Sequence, residues 1–152
     1  QARVQPDPSA QARQGVLMAM TPENKFIGRV HKQLDKICSA YHMKNHNQYI
    51  GGIPDCWYSG KSADLWIEYK YVDPLPVNVP IRPAKLLSTL QVDWLNARHT
   101  EGRNVAVIIG CKDGGVLLRH TEWDAEIPIQ EFKSLIKPLP DLAEWVKEQI
   151  ET

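Results

Sequence analysis

The chain lacks the features that mark several common protein classes. Its 152 residues include three cysteines, Cys38, Cys56 and Cys111, at wide and irregular spacing. An odd number of scattered cysteines fits neither a disulfide framework nor a zinc site, and it favours a reducing compartment. No apolar run approaches the length of a transmembrane helix, and no signal-peptide pattern is present. We therefore expect a cytoplasmic protein with no membrane partner.

An excess of charge of either sign is also missing, because 18 Lys and Arg residues balance 18 Asp and Glu residues. The balance argues against a strongly basic nucleic-acid binder. Residues 20–100 nevertheless contain ten Lys and Arg against seven Asp and Glu, whereas residues 101–152 contain six against ten. A polyanionic partner is compatible with this distribution, which does not require one.

The length is that of a single domain, which we expect to span residues 20–152. Residues 1–19 differ in composition, since Gln, Ala, Pro and Arg predominate there and no apolar periodicity is visible. We expect this segment to be a flexible tail or a leader derived from an expression vector. An arm that contacts nucleic acid is the alternative.

A first helix is predicted to begin after Thr21. Thr21 is suited to cap the helix, Pro22 to occupy its first position, and Glu23 to complement the helix dipole. Apolar residues then recur at helical spacing. These residues are Phe26, Val30, Leu34, Ile37 and Tyr41.

The rest of the chain predicts strands alternating with helices. Strands are predicted at 53–58 and 65–72, paired as a hairpin, and at 105–111 and 116–120. The proline-rich segment 73–85 is predicted to be a loop, and two short helices are predicted at 129–136 and 141–150. A second helix is predicted to place Leu86, Leu90, Trp94 and Ala97 on one face. The pattern indicates an α/β (mixed α+β) domain with a mixed central sheet.

Two acids and a lysine stand out within this pattern. Asp55 ends the run Gly-Gly-Ile-Pro-Asp, and Glu68 and Lys70 lie in the second predicted strand, where alternation points both to one face. Carboxylates and backbone carbonyls are the ligands that Mg²⁺ prefers, so Asp55, Glu68 and the Tyr69 carbonyl are candidate ligands. Lys70 is suited to orient or deprotonate a water, or to stabilise negative charge on a phosphoryl group. The set predicts phosphodiester hydrolysis.

These residues resemble the motifs of a known family. The run 51–55, the triplet 68–70 and the run 88–95 (Ser-Thr-Leu-Gln-Val-Asp-Trp-Leu) resemble the PD-(D/E)XK nuclease superfamily, and within it the VRR-NUC branch. That branch has a G-x-PD turn, an E-x-K strand and an S-x-x-Q-x-x-W/L helix start. The resemblance runs over about residues 23–111.

The resemblance implies a restriction-endonuclease-like core and a DNA nuclease that depends on Mg²⁺ or Mn²⁺. It implies that Asp55 and Glu68 bind the metal with the Tyr69 carbonyl, and that Lys70 is the catalytic lysine. It further implies that Gln91 supports the site and that Glu23 is an acid contributed by the first helix. Short stand-alone members, common in phages, resemble dimeric Holliday-junction resolvases, which would act in the host cytoplasm.

Several of these residues also have structural interpretations. Asp64 is an alternative aspartate ligand, although its place before the strand indicates a turn. Gln91 forms a capping box with Ser88, which closes a helix terminus without any catalytic role. Glu23 has the helix dipole as its other explanation. Trp66 and Trp94 are expected in the core.

Further basic residues are weaker candidates for phosphate contacts, and a plain surface role explains them equally well. They are His42, Lys44, His46, Arg82 and Lys85.

The leading hypothesis is a metal-dependent DNA endonuclease selective for branched DNA. A four-way junction has two-fold symmetry, so this substrate predicts a homodimer with two symmetry-related sites. A sequence-specific or non-specific DNA nuclease and a non-catalytic DNA-binding module are the alternatives.

Overall fold

A computed structural model describes residues 21–45 and 51–152 of the chain. The predicted tail over residues 1–19 and the candidate His46 lie outside these ranges. Five strands of the described residues form one mixed sheet in the order β1-β2-β3-β4-β5, in which β3 and β4 are parallel and the other neighbours are antiparallel. The strands are Tyr41–Lys44 (β1), Cys56–Ser59 (β2), Asp64–Tyr71 (β3), Val105–Cys111 (β4) and Gly114–Leu118 (β5).

Helices lie on both faces of this sheet. They are Pro22–Ile37 (α1), Pro83–Leu86 (α2), Thr89–Thr100 (α3), Ile129–Leu135 (α4) and Leu139–Glu151 (α5), with a short 3-10 helix at Glu122–Asp124. The predicted α/β fold, with a mixed central sheet flanked by helices, is confirmed. Within the described ranges, no helix is both long and apolar enough to cross a bilayer.

The first helix forms as its sequence predicts. The Thr21 hydroxyl accepts a hydrogen bond from Asn24 N (3.1 Å), and Pro22 occupies the first turn. Phe26, Val30 and Leu34 are buried along the predicted stripe. The assignment of Tyr41 to this stripe is wrong, because the helix ends before Cys38 in extended backbone and Tyr41, 59% exposed, begins β1.

Two hydrophobic cores, one on each face of the sheet, hold the helices in place. One core joins α1 and α5 to β2, β3 and β4 through residues such as Leu34, Ile67 and Val146. The other joins α3, α4 and the 3-10 helix to β4 and β5 through residues such as Leu95 and Trp123. The strand β4 is buried throughout, as its continuous apolar run predicts.

Two local expectations need correction. The strand predicted at 53–58 begins only at Cys56. The sequence does not predict β1, which pairs with β2 at the edge of the sheet, because this short strand alternates between exposed and half-buried residues and has no buried apolar face. The predicted face of the second helix is wrong: Leu95 is buried, whereas Leu90 is 60% exposed. The prediction counted from Leu86 as if one helix continued, but α2 ends there and Ser88 caps a new helix, which changes the phase.

Candidate active site

The strand pairing places Asp55 beside Glu68. In β2 and β3, Cys56 pairs with Ile67, so Asp55 lies opposite Glu68 at the point where β2 begins. Alternation along β3 directs Ile67 and Tyr69 into the core shared with α1 and α5, and Glu68 to the opposite face. The predicted hairpin and the predicted alternation of β3 therefore bring the two carboxylates together.

Reciprocal hydrogen bonds fix the relative position of these acids. The backbone N–H of Asp55 donates to Glu68 Oε2 (3.0 Å), and the backbone N–H of Tyr69 donates to Asp55 Oδ2 (3.0 Å). Beyond Cys56, these side-chain hydrogen bonds take the place of the backbone hydrogen bonds between β2 and β3. Each carboxylate thereby binds the backbone segment on which the other acid lies.

Pro54 interrupts the ladder next to the site. Pro54 lies two residues before β2, and it has no N–H with which to continue the pairing with β3. The N–H and carbonyl of one strand residue point to the same edge, so the Tyr69 carbonyl lies on the side of Asp55. Asn45 supports the turn, since its N–H donates to the Asp55 carbonyl (2.6 Å) and its Nδ2 to the Pro54 carbonyl (3.5 Å). The Tyr69 carbonyl is therefore available as a third oxygen beside the two carboxylates.

The glycines before Pro54 allow close contact with α3. Gly52 has a φ of +88°, and a Cβ at this position would lie 2.5 Å from the Leu90 carbonyl oxygen. A side chain at this position is therefore excluded both by backbone conformation and by lack of space. The close approach brings the turn that carries Asp55 against the first residues of α3, which include Gln91.

Gln91 makes contacts that fit both of the interpretations left open by the sequence. Its Oε1 accepts from Ser88 N (2.9 Å), and Ser88 Oγ accepts from Gln91 N (3.1 Å), which completes the capping box. Its Nε2 donates to Glu68 Oε1 (2.8 Å). The helix cap therefore fixes the amide so that its nitrogen faces the carboxylate.

Glu68 is a buried acid with an altered pKa. The residue is 1% exposed, and burial followed by the negative charge of Asp55 raises the pKa of Glu68 to about 8. The Lys70 ammonium, 3.4 Å from Glu68 Oε1, opposes this rise without cancelling it. Burial thus keeps the Glu68 carboxyl largely uncharged up to about pH 8 in the metal-free site, whereas its oxygens and those of Asp55 are of the kind that a hard divalent cation prefers.

Glu23 belongs to the electrostatic surroundings of this site. Burial and then the charge of Asp55 raise the pKa of Glu23, while Lys70 and Lys44 lower it. Glu23 also lies in the first turn of α1, where the helix dipole favours an acid, so its structural interpretation is met and its role as a site acid stays a prediction. It lines a cavity of about 730 Å³ with Lys25 and other residues of α1 and β3. Across residues 21–45 and 51–152, no three His, Cys, Asp or Glu side chains form a metal cluster, so Glu23 is not a third ligand in this geometry.

The other candidates lie apart from the pair of acids. Asp64, four residues before Glu68 and therefore about 13 Å away along β3, accepts from Ser59 Oγ (2.9 Å). His42 Nε2 contacts Asp35 Oδ1 (2.8 Å), and Arg82 Nε contacts Glu126 Oε1 (2.6 Å). Lys85 is exposed. Asp64 thus begins β3 rather than standing in a turn, and its hydrogen bond to Ser59 lies across the hairpin.

On the core side of the sheet, a series of hydrogen-bonded polar side chains holds the Tyr69 ring in place. The Tyr69 and Tyr58 hydroxyls are 2.7 Å apart, and His31 Nε2 lies 2.7 Å from the Tyr58 hydroxyl. Burial lowers the pKa of His31 to about 4, which keeps the imidazole neutral. Alternation predicts that Tyr69 faces inward, but this network joins α1, β2 and β3, and no local pattern indicates it.

The raised pKa of Glu68 predicts a pH-dependent cost of folding in metal-free solution. An acid whose pKa is higher in the folded than in the unfolded state makes the folded protein less stable as pH rises. The loss develops between the ordinary pKa of glutamate, 4.5, and the folded-state pKa of about 8. Replacing Glu68 with glutamine removes this loss. The stability of Glu68→Gln relative to the natural protein should therefore increase between pH 5 and pH 8.5, by about 3 kcal/mol.

Denaturant unfolding in EDTA at both pH values measures this difference. Glu148→Gln on the exposed side of α5 is the control, and it should show no such trend. An equal difference between Glu68→Gln and the natural protein at both pH values would contradict the prediction.

Proteins similar to this chain are found among solved structures. No protein-family model matches the chain, and no curated protein does. The chain is similar to the solved structure of a Holliday junction resolvase from the archaeal hyperthermophile Archaeoglobus fulgidus, with 17% sequence identity and a TM-score of 0.49 over 81% of this chain and 96% of that chain. At this level of similarity, function has to be argued from the side chains themselves.

Proposed function

We propose that the protein is a metal-dependent DNA endonuclease of the VRR-NUC type. The observation that carries the proposal is the pair formed by Asp55 and Glu68, held by reciprocal 3.0 Å hydrogen bonds. Lys70 lies 3.4 Å from Glu68 on the same strand face. Two carboxylates, a carbonyl and an ammonium at one sheet edge match the requirements of phosphodiester hydrolysis.

Mg²⁺ is the proposed cofactor, with Mn²⁺ as a substitute. Asp55, Glu68 and the Tyr69 carbonyl would hold it, and the donor set fits because all three ligands are hard oxygens. Burial is the main cause that raises the pKa of Glu68 to about 8, so a bound cation would displace the carboxyl proton at neutral pH and would favour the ionised ligand. When bound, the cation supplies Lewis-acid stabilisation of the phosphoryl oxygens and a more acidic water.

The protein side chains have separate roles in this proposal. Lys70 donates a hydrogen bond to the attacking water or to a phosphoryl oxygen, where its charge opposes the negative charge that develops. Gln91 is a positioning residue, because it acts on the substrate through its 2.8 Å hydrogen bond to Glu68. Glu23 adds negative charge beside Asp55 and so strengthens the attraction for a cation.

Branched DNA is the proposed substrate class. The described residues form one sheet with its helices, and no separate unit for reading a duplex sequence is present among them. Recognition of shape is then the simpler basis of selectivity. A four-way junction would be cut by a homodimer, whose two-fold axis matches that of the junction.

A panel of labelled four-way junctions, flaps, linear duplexes and single strands tests this function with Mg²⁺ and with EDTA. We expect junctions or flaps to be cleaved at least about 10-fold faster than linear duplex, and no cleavage in EDTA. Cleavage of duplex at a single sequence would indicate a restriction-type enzyme instead. Binding without metal-dependent cleavage of any substrate would indicate a non-catalytic module and overturn the proposal.

A further inference from the structure

A row of aromatic rings lies on the same sheet face as Glu68. Trp57 on β2 and Trp66 on β3 are direct partners and stack, with ring centroids 6.1 Å apart and an interplanar angle of 27°. Trp66 meets Trp94 of α3 edge to face at 5.6 Å. All three tryptophans are half-buried and still present surface to solvent, and Trp66 and Trp94 also pack against the core.

The row ends in a pocket between β3 and α3. The pocket has a volume of about 550 Å³, and its lining includes Trp66, Trp94, Arg98, Arg103 and Asp64. This lining combines aromatic faces with guanidinium donors and one carboxylate acceptor, which is the chemistry that binds a nucleobase by its face and its edge.

Arg98 has hydrogen-bonding capacity in this region that the protein does not use. Its guanidinium lies 5.8 Å from the centre of the Trp94 ring, and its Nη2 donates to Glu101 Oε1 (2.9 Å). Its Nε is buried, and it has no hydrogen-bond partner within the described part of the chain. A buried donor without an acceptor costs free energy, and the rest of the guanidinium, on a side chain that is 38% exposed, can still donate to a ligand in the pocket.

The pocket lies close to the candidate active site along both β3 and α3, the two elements that form it. Trp66 precedes Glu68 by two residues on one face of β3, which corresponds to about 7 Å. Trp94 follows Gln91 by three residues on α3, about one turn of helix. The separation is comparable to that of neighbouring nucleotides in an extended strand. A strand whose phosphate lies at Asp55 and Glu68 therefore reaches the pocket with an adjacent base.

We propose that this pocket receives one unpaired nucleobase of the strand that is cut. The inference rests on the proposed nuclease function and names a basis for its selectivity. The base stacks against Trp66 or Trp94, while Arg98 and Arg103 donate to its acceptors and Asp64 accepts from an exocyclic amino group. Branch points and flaps supply such bases, whereas an intact duplex must first unstack one.

The test uses flap substrates in which one nucleotide at a time is abasic, bound by the full chain in EDTA. For the natural protein, we expect one abasic position near the branch to weaken binding by about 5- to 150-fold. Trp94→Leu should weaken binding of the intact flap by a similar factor and should make that abasic position neutral. Trp145→Phe on α5, against the opposite core, is the matched control and should keep the abasic effect.

Three results would contradict the proposal that the pocket binds a nucleobase. Equal affinity of the natural protein for every abasic substrate would do so, as would Trp94→Leu weakening intact and abasic flaps equally. A change of oligomeric state in Trp94→Leu, with the abasic effect retained, would assign the aromatic row to a contact between copies. Because binding is measured in EDTA, this test is separate from the test of nuclease activity. Base-dependent binding without cleavage in Mg²⁺ would support the base-binding pocket and contradict the nuclease proposal. Cleavage in Mg²⁺ without base-dependent binding would contradict the pocket alone.

Discussion

Replacing Glu68 with alanine is expected to lower the rate of metal-dependent DNA cleavage by about 1,000-fold or more. Glu68 is the acid that contacts the most groups of the site, since its carboxylate meets Asp55 N, Gln91 Nε2 and Lys70 Nζ. Without it, one of the proposed metal ligands is lost, and Lys70 loses the partner that lies 3.4 Å from its ammonium. Single-turnover cleavage of the preferred branched substrate at saturating Mg²⁺ measures the effect.

The control separates lost chemistry from lost folding. Glu148→Ala removes an exposed acid of α5 and should cleave at the natural rate. Glu68→Gln should be as inactive as Glu68→Ala and yet more stable than the natural protein at pH 8.5 without metal, because it removes a buried charge. Activity within about tenfold of the natural rate in either Glu68 variant would remove this residue from the site.

Replacing Lys70 with methionine is expected to lower the cleavage rate by about 100- to 10,000-fold while preserving metal binding. Methionine keeps most of the length of the side chain but removes the ammonium, which lies 3.4 Å from Glu68 Oε1. Since a positive charge next to the carboxylates opposes the binding of a cation, its removal should leave Mg²⁺ affinity unchanged or raise it. Cleavage rates measured over a series of Mg²⁺ concentrations give both quantities.

Lys70→Arg distinguishes the two roles proposed for Lys70, which are stabilisation of negative charge on the phosphoryl group and removal of a proton from the attacking water. Arginine keeps the positive charge but does not accept a proton at ordinary pH. Recovery of at least tenfold over Lys70→Met would identify charge stabilisation, and no recovery would favour proton transfer from the water. A loss of Mg²⁺ affinity in Lys70→Met would contradict both roles, because it would show that Lys70 supports the metal ligands rather than the reaction.

Local patterns in the sequence predict much of this site. The alternation of β3 places Glu68 and Lys70 on one face, and the hairpin places Asp55 at their end. The cap formed by Ser88 and Gln91 is visible as a spacing of three residues. These features depend on neighbours in the chain, which is why the sequence alone indicates them.

Other features depend on contacts between distant segments, and the sequence does not indicate them. The edge strand β1 has no apolar alternation strong enough to predict it, yet Asn45 at its end holds the turn of Pro54 and Asp55. The burial of Glu68 is also unexpected, since an acid on a half-buried strand usually faces water. It results from the packing of α3 over β3, made close by Gly52.

Anomalous diffraction from crystals grown with Mn²⁺ tests most directly whether Asp55, Glu68 and the Tyr69 carbonyl form a divalent-cation site. The arrangement predicts an anomalous peak within coordination distance of both carboxylates and of the carbonyl, and its disappearance in crystals of Glu68→Ala. A fully occupied peak elsewhere, with the N–H groups of Asp55 and Tyr69 still donating to Glu68 and Asp55 and no density between the two carboxylates, would contradict it.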